Sequence, residues 1–315
     1  MELLTVSVDL IVHPRATLSW AEFLDHTPPR SIALDGYVVG GPRWDEVTLH
    51  ANYDHHSGVV REATMSTAMQ VYFAIKGGLM ERFGGRARAY INDPDQDTTL
   101  ATWLLRRHAL FAGVQSHPAI NRLLTLNDRL DVTGGAFPMV LDDEVAETHA
   151  WVFDPYTALR ISGALASADE TVMRNCVEAV HERLNRVLMG QGERRSLRKE
   201  CEVLWESQVG CGFKIVNETG GNEGRYWLYS RGMSAFVGLV ATAADGTHVY
   251  SIGRRSQYVD FPIPALLDEL NRVEGGDELS PAWGGSDLIG GCGRARRSRL
   301  SWQEVRDVVE NFLSK

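Results

Sequence analysis

Short apolar runs that end on an acid are the dominant pattern in the first third of the chain. Residues 6–12 form a short apolar run broken by Asp9, and residues 31–34 form one that stops at Asp35-Gly36. Residues 47–53 alternate apolar and polar and stop at Asp54, and residues 88–91 lead into Asn92-Asp93-Pro94-Asp95-Gln96-Asp97. Runs of four to seven residues followed by polar or glycine-containing turns predict strands. Between them, residues 65–77 carry Ala, Met, Val, Tyr, Phe and Ile at helical spacing and end at Gly77-Gly78, and residues 98–110 are rich in Leu, Ala and Trp. Both predict helices. Strand, acidic turn, helix, repeated, predicts an α/β fold with a doubly wound, mainly parallel sheet.

Beyond residue 156 the pattern becomes helical and charged. Glu178, His181, Glu182, Arg183 and Arg186 alternate with Val177, Val180, Leu184 and Val187 up to about residue 204. This predicts one or two long helices acting as a connector. After Gly210 the character turns to β, with runs at residues 213–216, 226–229, 235–241 and 248–252. A helix is expected over residues 264–273 and another over 302–313, with Ser301 as its N-cap. The predicted organisation is therefore a domain over residues 1–195 and a smaller α/β domain over residues 205–315.

The length of 315 residues suits two domains, and 44% hydrophobic with 23% charged residues is ordinary for a packed globular core. A formal net charge of −9 argues against broad binding of long duplex nucleic acid, which needs a basic surface. It leaves room for a short nucleotide held in a local basic pocket. The four cysteines, Cys176, Cys201, Cys211 and Cys292, show no CxxC spacing, so neither a zinc ribbon nor a redox pair is expected. No stretch approaches the roughly 20 apolar residues of a membrane span, and the first 15 residues do not have the character of a secretory leader. A cytoplasmic location is expected, and a homodimer is compatible with the sequence.

The chemistry concentrates at the strand ends. Ligands of open α/β sheets bind outside the carboxyl ends of the strands, so acidic turns at Asp35, Asp54 and Asp93 to Asp97 point to one shared crevice. Asp54-His55-His56 offers a hard oxygen and two imidazoles at close range. Adjacent side chains diverge, so one histidine can hold a metal while the other meets a phosphate. Asp93, Asp95 and Asp97 are three carboxylates within five residues, which repel one another unless solvated or neutralised by a cation.

Asn52-Tyr53-Asp54-His55-His56 resembles the motif that names the DHH phosphoesterase superfamily. Asp35 stands where that family places a metal-ligating aspartate, and residues 63–72 are similar to its Ser/Thr-and-Ala helix. In the second half, residues 249–256 resemble the arginine-bearing strand of the DHH-associated domain, and residues 283–293 its glycine-rich loop. The resemblance covers roughly residues 31–110 and 225–295. It implies a metal-dependent phosphohydrolase using one or two Mn²⁺ or Mg²⁺ ions. Asp35, His55, Asp93, Asp95 and Asp97 would supply metal ligands, Asp54 and His56 catalytic groups, and Arg254, Gly284, Gly285 and Ser286 the substrate cradle. The substrate class implied is a nucleotide, short oligonucleotide or related small phosphate compound. The chain departs from the family at Ile91 and Ser286, where histidines are expected, and Asp128 or Asp131 offers an alternative for a further bridging aspartate. A catalytically degenerate nucleotide- or phosphate-binding, or regulatory, protein is the alternative those departures imply.

Overall fold

The apolar runs of the first third become strands of one sheet in a computed structural model that describes residues 6–275, 282–293 and 296–315. The strands are β1 (Ser7–Val12), β2 (Ser31–Leu34), β3 (Arg43–Asp45), β4 (His50–Tyr53) and β5 (Arg86–Ile91), in the order β1-β5-β2-β4-β3. β1, β5, β2 and β4 run parallel, and β3 is antiparallel at the edge. All four residues of β2 are buried, as a largely apolar strand in mid-sheet should be.

The strand expected over residues 47–53 is shorter. The Asp45 carboxylate accepts hydrogen bonds from the backbone amides of Val47 and Thr48 and from the Thr48 hydroxyl, and Leu49 takes a φ of 59°. An aspartate that captures the amides two and three residues on competes with a strand ladder, so the segment folds into the β3–β4 hairpin instead.

Helices α1 (Trp20–His26), α2 (Thr67–Lys76), α3 (Leu79–Phe83) and α4 (Gln96–Arg106) lie among these strands in the chain. α4 starts two residues earlier than expected because Asp95 is its N-cap, accepting from the Thr98 amide at 2.8 Å. Then come α5 (Pro118–Val132), α6 (Glu144–Val152), α7 (Asp154–Ile161) and α8 (Glu170–Leu188). α6 and α8 are capped by Asp143 and Asp169. The expected helical connector is corrected here: helix stops at Leu188, and residues 191–201 have no regular secondary structure. Gly190, at a φ of 71°, supplies the left-handed residue that ends the helix.

The chain divides into two units. One holds the residues up to Val132 together with Asp142–Leu159 and Ser167–Ser196; the other holds Thr133–Leu141, Arg160–Ala166 and Leu197–Lys315. The second unit has a six-stranded mixed sheet of β6 (Glu202–Glu206), β7 (Lys214–Asn217), β8 (Ala235–Thr242), β9 (His248–Arg254), β10 (Trp283–Gly285) and β11 (Ile289–Cys292), ordered β10-β11-β9-β8-β7-β6. Its helices are α9 (Asn222–Ser230), α10 (Ile263–Glu274) and α11 (Trp302–Leu313).

Residues 226–229, expected as a strand, belong to α9. β7 and β8 pair in parallel, and two parallel neighbours require a crossover, which α9 provides. It buries Tyr226 and Tyr229, three residues apart on one helix face. Phe213, Ile252, Phe261, Leu266, Trp283 and Val305 lie in one continuous core cluster of this unit. Ser301 caps α11 as the sequence suggests, with Glu304 completing a capping box. Among the described residues no helix is long and apolar enough to cross a membrane.

Candidate metal centre

The crevice at the carboxyl ends of β2, β4 and β5 is built by three turns and by helices α4 and α5 of the first unit. Leu34-Asp35-Gly36-Tyr37 closes with the Tyr37 amide donating to the Leu34 carbonyl at 3.1 Å, and both central residues have positive φ, 50° and 78°. Aspartate tolerates that region better than most side chains. The turn leaves Asp35 buried, 7% exposed, with Thr67 and Thr98 hydroxyls donating to its two oxygens.

After β4, the Asp54 carboxylate turns back on its own chain. Its Oδ1 accepts from the His56 amide at 3.1 Å and lies 2.8 Å from His56 Nδ1, while its buried Oδ2 has no hydrogen-bond partner. His55 is fully buried, with Nε2 3.5 Å from Asp35 Oδ1 and 2.7 Å from Asp131 Oδ2. Neither His55 nitrogen forms a hydrogen bond of acceptable geometry in this arrangement. His56 also meets Asp35, Nδ1 to Oδ1 at 3.3 Å, and its side chain is 43% exposed.

Two sets of side chains converge closely enough to share an ion. Asp35, His55 and His56 form one, and His55, Asp97 and Asp131 the other, with the donor atoms within each set no more than 4.8 Å apart. His55 belongs to both. Asp95 caps α4 and feels the charge of the neighbouring Asp35. Asp93 stands in neither set. Asp128 is engaged elsewhere, accepting from the Ser66 amide at 2.8 Å.

Asp97 shows how the crevice is supported. Its Oδ1 accepts from the Ala68 amide at 3.1 Å and from Asn127 Nδ2 at 2.8 Å, leaving the buried Oδ2 without a partner. Since the Asn127 amide nitrogen faces the carboxylate, its Oδ1 faces His149 Nε2, 3.1 Å away, which must carry the proton. Arg61, buried at 3% exposure, donates to the carbonyls of Asp131 and Val132 and fixes the end of α5. Asn127 and His149 were not indicated by the sequence pattern. For Asn127 the signal available was its spacing from Asp131, four residues on along one face of α5; His149 had none.

The electrostatics follow from crowding. Burial, then the charges of Asp35 and Asp93, push Asp95 well above the usual carboxylate range. Burial, then the charges of Asp131 and Asp35, do the same to Asp97. Burial also works against ionised Asp35, but His56 and His55 outweigh it and hold that carboxyl low. Burial disfavours charged His55, yet the attraction of Asp131 outweighs it and raises the ring. Such a set gains most from a divalent cation, which would replace protons on Asp95 and Asp97.

Two further histidines of this unit are buried uncharged. Burial, reinforced by Arg195, lowers His149 to about 3, and burial with Arg106 lowers His181 to about 4. An unfolded histidine titrates near 6.5. Below that pH the unfolded chain takes up protons that the folded one refuses, so stability is full above 6.5 and falls with pH down to the folded values. Each ring should contribute a loss of about 1.4 kcal/mol per pH unit. Urea denaturation at about pH 7.5 and about pH 5 should show His181→Gln losing less stability on acidification than the wild type; equal losses would contradict the buried neutral ring.

The residues of the second unit's suggested cradle make contacts within their own unit. Arg254 donates from Nε to the Asp287 carbonyl at 2.9 Å and from Nη1 toward the carbonyls of Val259 and Gln257, at 3.2 and 3.4 Å. Gly284 and Gly285 lie in β10, paired with Gly291 and Gly290 of β11. A Cβ on Gly285 would collide with the Gly290 backbone, which accounts for the glycine by strand packing. The Ser286 hydroxyl closes the hairpin turn, donating to the Ile289 carbonyl at 3.1 Å. No protein-family model, curated protein or solved structure matches the chain.

Proposed function

We propose that the first unit is a metal-dependent phosphohydrolase of the DHH type. It would bind one or two Mn²⁺ or Mg²⁺ ions and cleave a phosphoester or phosphoanhydride of a nucleotide, short oligonucleotide or other small phosphate compound. The observation that carries this reading is the convergence on His55 of Asp35, Asp97 and Asp131, with Asp97 Oδ2 and both His55 nitrogens buried and without hydrogen-bond partners. Oxygen and imidazole donors without thiolate suit Mn²⁺ or Mg²⁺. Asp35, His55, Asp97 and Asp131 would hold the cations, with Asp95 beside Asp35. A divalent cation, when bound, supplies a Lewis acid for phosphoryl oxygens and lowers the pKa of a water.

The remaining work falls to the chain. Thr67 and Thr98 orient Asp35, and Asn127 with the Ala68 amide orients Asp97. Asp54 occupies Nδ1 of His56, which leaves Nε2 of that partly exposed ring for a phosphate oxygen or a leaving group. His56→Ala is therefore expected to keep the ion held by His55, Asp97 and Asp131 but to lose about 100-fold or more in turnover, the scale of a lost general acid or phosphate contact. Hydrolysis of bis-p-nitrophenyl phosphate, pyrophosphate and short oligonucleotides with Mn²⁺, set beside the metal content of the same samples, tests this.

A second reading has its own support. Ile91, fully buried at the end of β5, puts an apolar side chain where the family carries a nitrogen ligand, and the Ser286 hydroxyl is held within a turn. A metal- or phosphate-binding protein without turnover would fit both. Tight Mn²⁺ binding with no hydrolysis of any of the three substrates would select it.

A further inference from the structure

A cleft of about 470 Å³ opens in the first unit at the β3 edge, bounded by the Gly77-Gly78 turn after α2 and by α3. Arg43, Trp44, Tyr53, Leu79 and Arg82 line it, and none of them belongs to the cation-binding sets. We propose that this cleft binds a nucleoside monophosphate, with the base on Trp44 and the phosphate between Arg43 and Arg82.

The indole is the first argument. Trp44 stands on an edge strand and is 40% exposed, a large aromatic left in water. Its orientation is fixed by stacking on Phe83, centroids 6.0 Å apart and planes 17° from parallel. A rigid, exposed aromatic face is what a planar base stacks on.

The guanidinium groups are the second. Among the described residues neither Arg43 nor Arg82 has a side-chain hydrogen bond or carboxylate partner, although the net charge of −9 makes acids plentiful. By contrast Arg106, Arg174, Arg272 and Arg306 each hold a carboxylate at 2.7 Å or less. The Arg43 guanidinium folds over Gly40, where a Cβ would stand 2.7 Å from Nη2, so a glycine at a φ of 106° keeps its place open. Two unpaired guanidinium groups at one cleft fit a phosphate.

The combination selects the ligand class. An inorganic anion has no use for the indole, and an apolar segment has none for two arginines. A mononucleotide uses both, and the volume lies within the range of small-ligand sites. The carboxylate of Glu81 reaches over Gly78 at the rim, 3.4 Å from where a Cβ there would stand, and opposes the phosphate.

This proposal is independent of the metal-centre reading, and its test is run without metal. Calorimetric titration of the full chain with AMP in EDTA should show saturable one-to-one binding. Adenosine and inorganic phosphate should each bind about tenfold or more weakly than AMP, since each lacks one of the two contacts. Trp44→Ala and Arg82→Gln should each weaken AMP about tenfold, Trp44→Phe should retain most of the affinity, and Glu81→Gln should tighten it. Both positions are exposed, and unchanged thermal unfolding will confirm that the variants are folded. Wild-type protein that takes up no AMP at millimolar concentration overturns the proposal. So does AMP binding that Trp44→Ala and Arg82→Gln leave unchanged, which would put the nucleotide elsewhere.

Discussion

His55→Ala is expected to weaken Mn²⁺ binding by about 100-fold or more, a larger loss than any other single substitution in the crevice. His55 alone belongs to both converging sets, with Asp35 and His56 on one side and Asp97 and Asp131 on the other, so its removal spoils every arrangement the donors allow. Asn127→Ala removes no donor to the ion but frees Asp97 Oδ1 to rotate, and the loss expected there is about 10-fold to 100-fold. Asp93→Asn is the control, since Asp93 lies in neither set and should leave the affinity near that of the wild type. Calorimetry and elemental analysis of protein purified without chelators measure all three. The fold should survive, because the backbone around His55 is held by Gln70, which donates to the Asp54 carbonyl at 3.1 Å and to the Met65 carbonyl at 2.7 Å. Equal Mn²⁺ content in wild type and His55→Ala, or none in either, would remove the metal centre.

The parts of this crevice legible in the sequence are those set by local rules. Asp35-Gly36 reads as a turn because the two residues tolerate positive φ, and β2 reads as a strand because three of its four residues are apolar. The helix after Asp95 is legible, though its start lies two residues before the one the pattern suggests, because Asp95 reads as a metal ligand rather than as the cap that satisfies a free amide. What the sequence left open depended on pairing at a distance. Asp131 sits 76 residues after His55 and reaches it only because α5 packs beside the crevice, and nothing in the local pattern around residue 131 distinguishes it from Asp128. Asn127 and His149 are ordinary helical residues until the fold joins them to Asp97. In the second unit, Tyr226-Trp227-Leu228-Tyr229 is aromatic enough for a strand, and only the parallel pairing of β7 with β8 makes a helix necessary. Arg254 is a case in which distant acceptors were not legible. An arginine beside glycines invites a phosphate, yet its nearest acceptors are carbonyls of its own unit.

Glu218→Ala should cost about 3–5 kcal/mol of stability in the second unit, the range found when one member of a buried ion pair is removed. Glu218 follows β7 and is 4% exposed. Its Oε1 accepts from the Ser251 hydroxyl at 2.5 Å and stands 3.2 Å from Arg225 Nε, while Oε2 lies 3.4 Å from Arg160 Nη2. Arg225 is also 4% exposed and stacks over Phe236, 5.1 Å from the ring centre, so it has no route to water if the carboxylate goes. The alanine variant would leave a buried guanidinium without its counter-charge, and that desolvated cation rather than the lost contact sets the size of the effect. Glu218→Gln keeps the shape and the Ser251 contact but not the charge, so it should fall between wild type and alanine. Gly238→Ala tests the same space from the other side: a Cβ at residue 238 would press on Glu218 Oε1 and come within 2.8 Å of Ser251 Oγ, displacing both. Hydrogen exchange of amides in β7, β8 and β9 reads this unit separately from the first. Protection there should drop in Glu218→Ala and Gly238→Ala while amides of β2 and β5 keep theirs. If β7 to β9 exchange at the wild-type rate in Glu218→Ala, the carboxylate does not hold these arginines in solution.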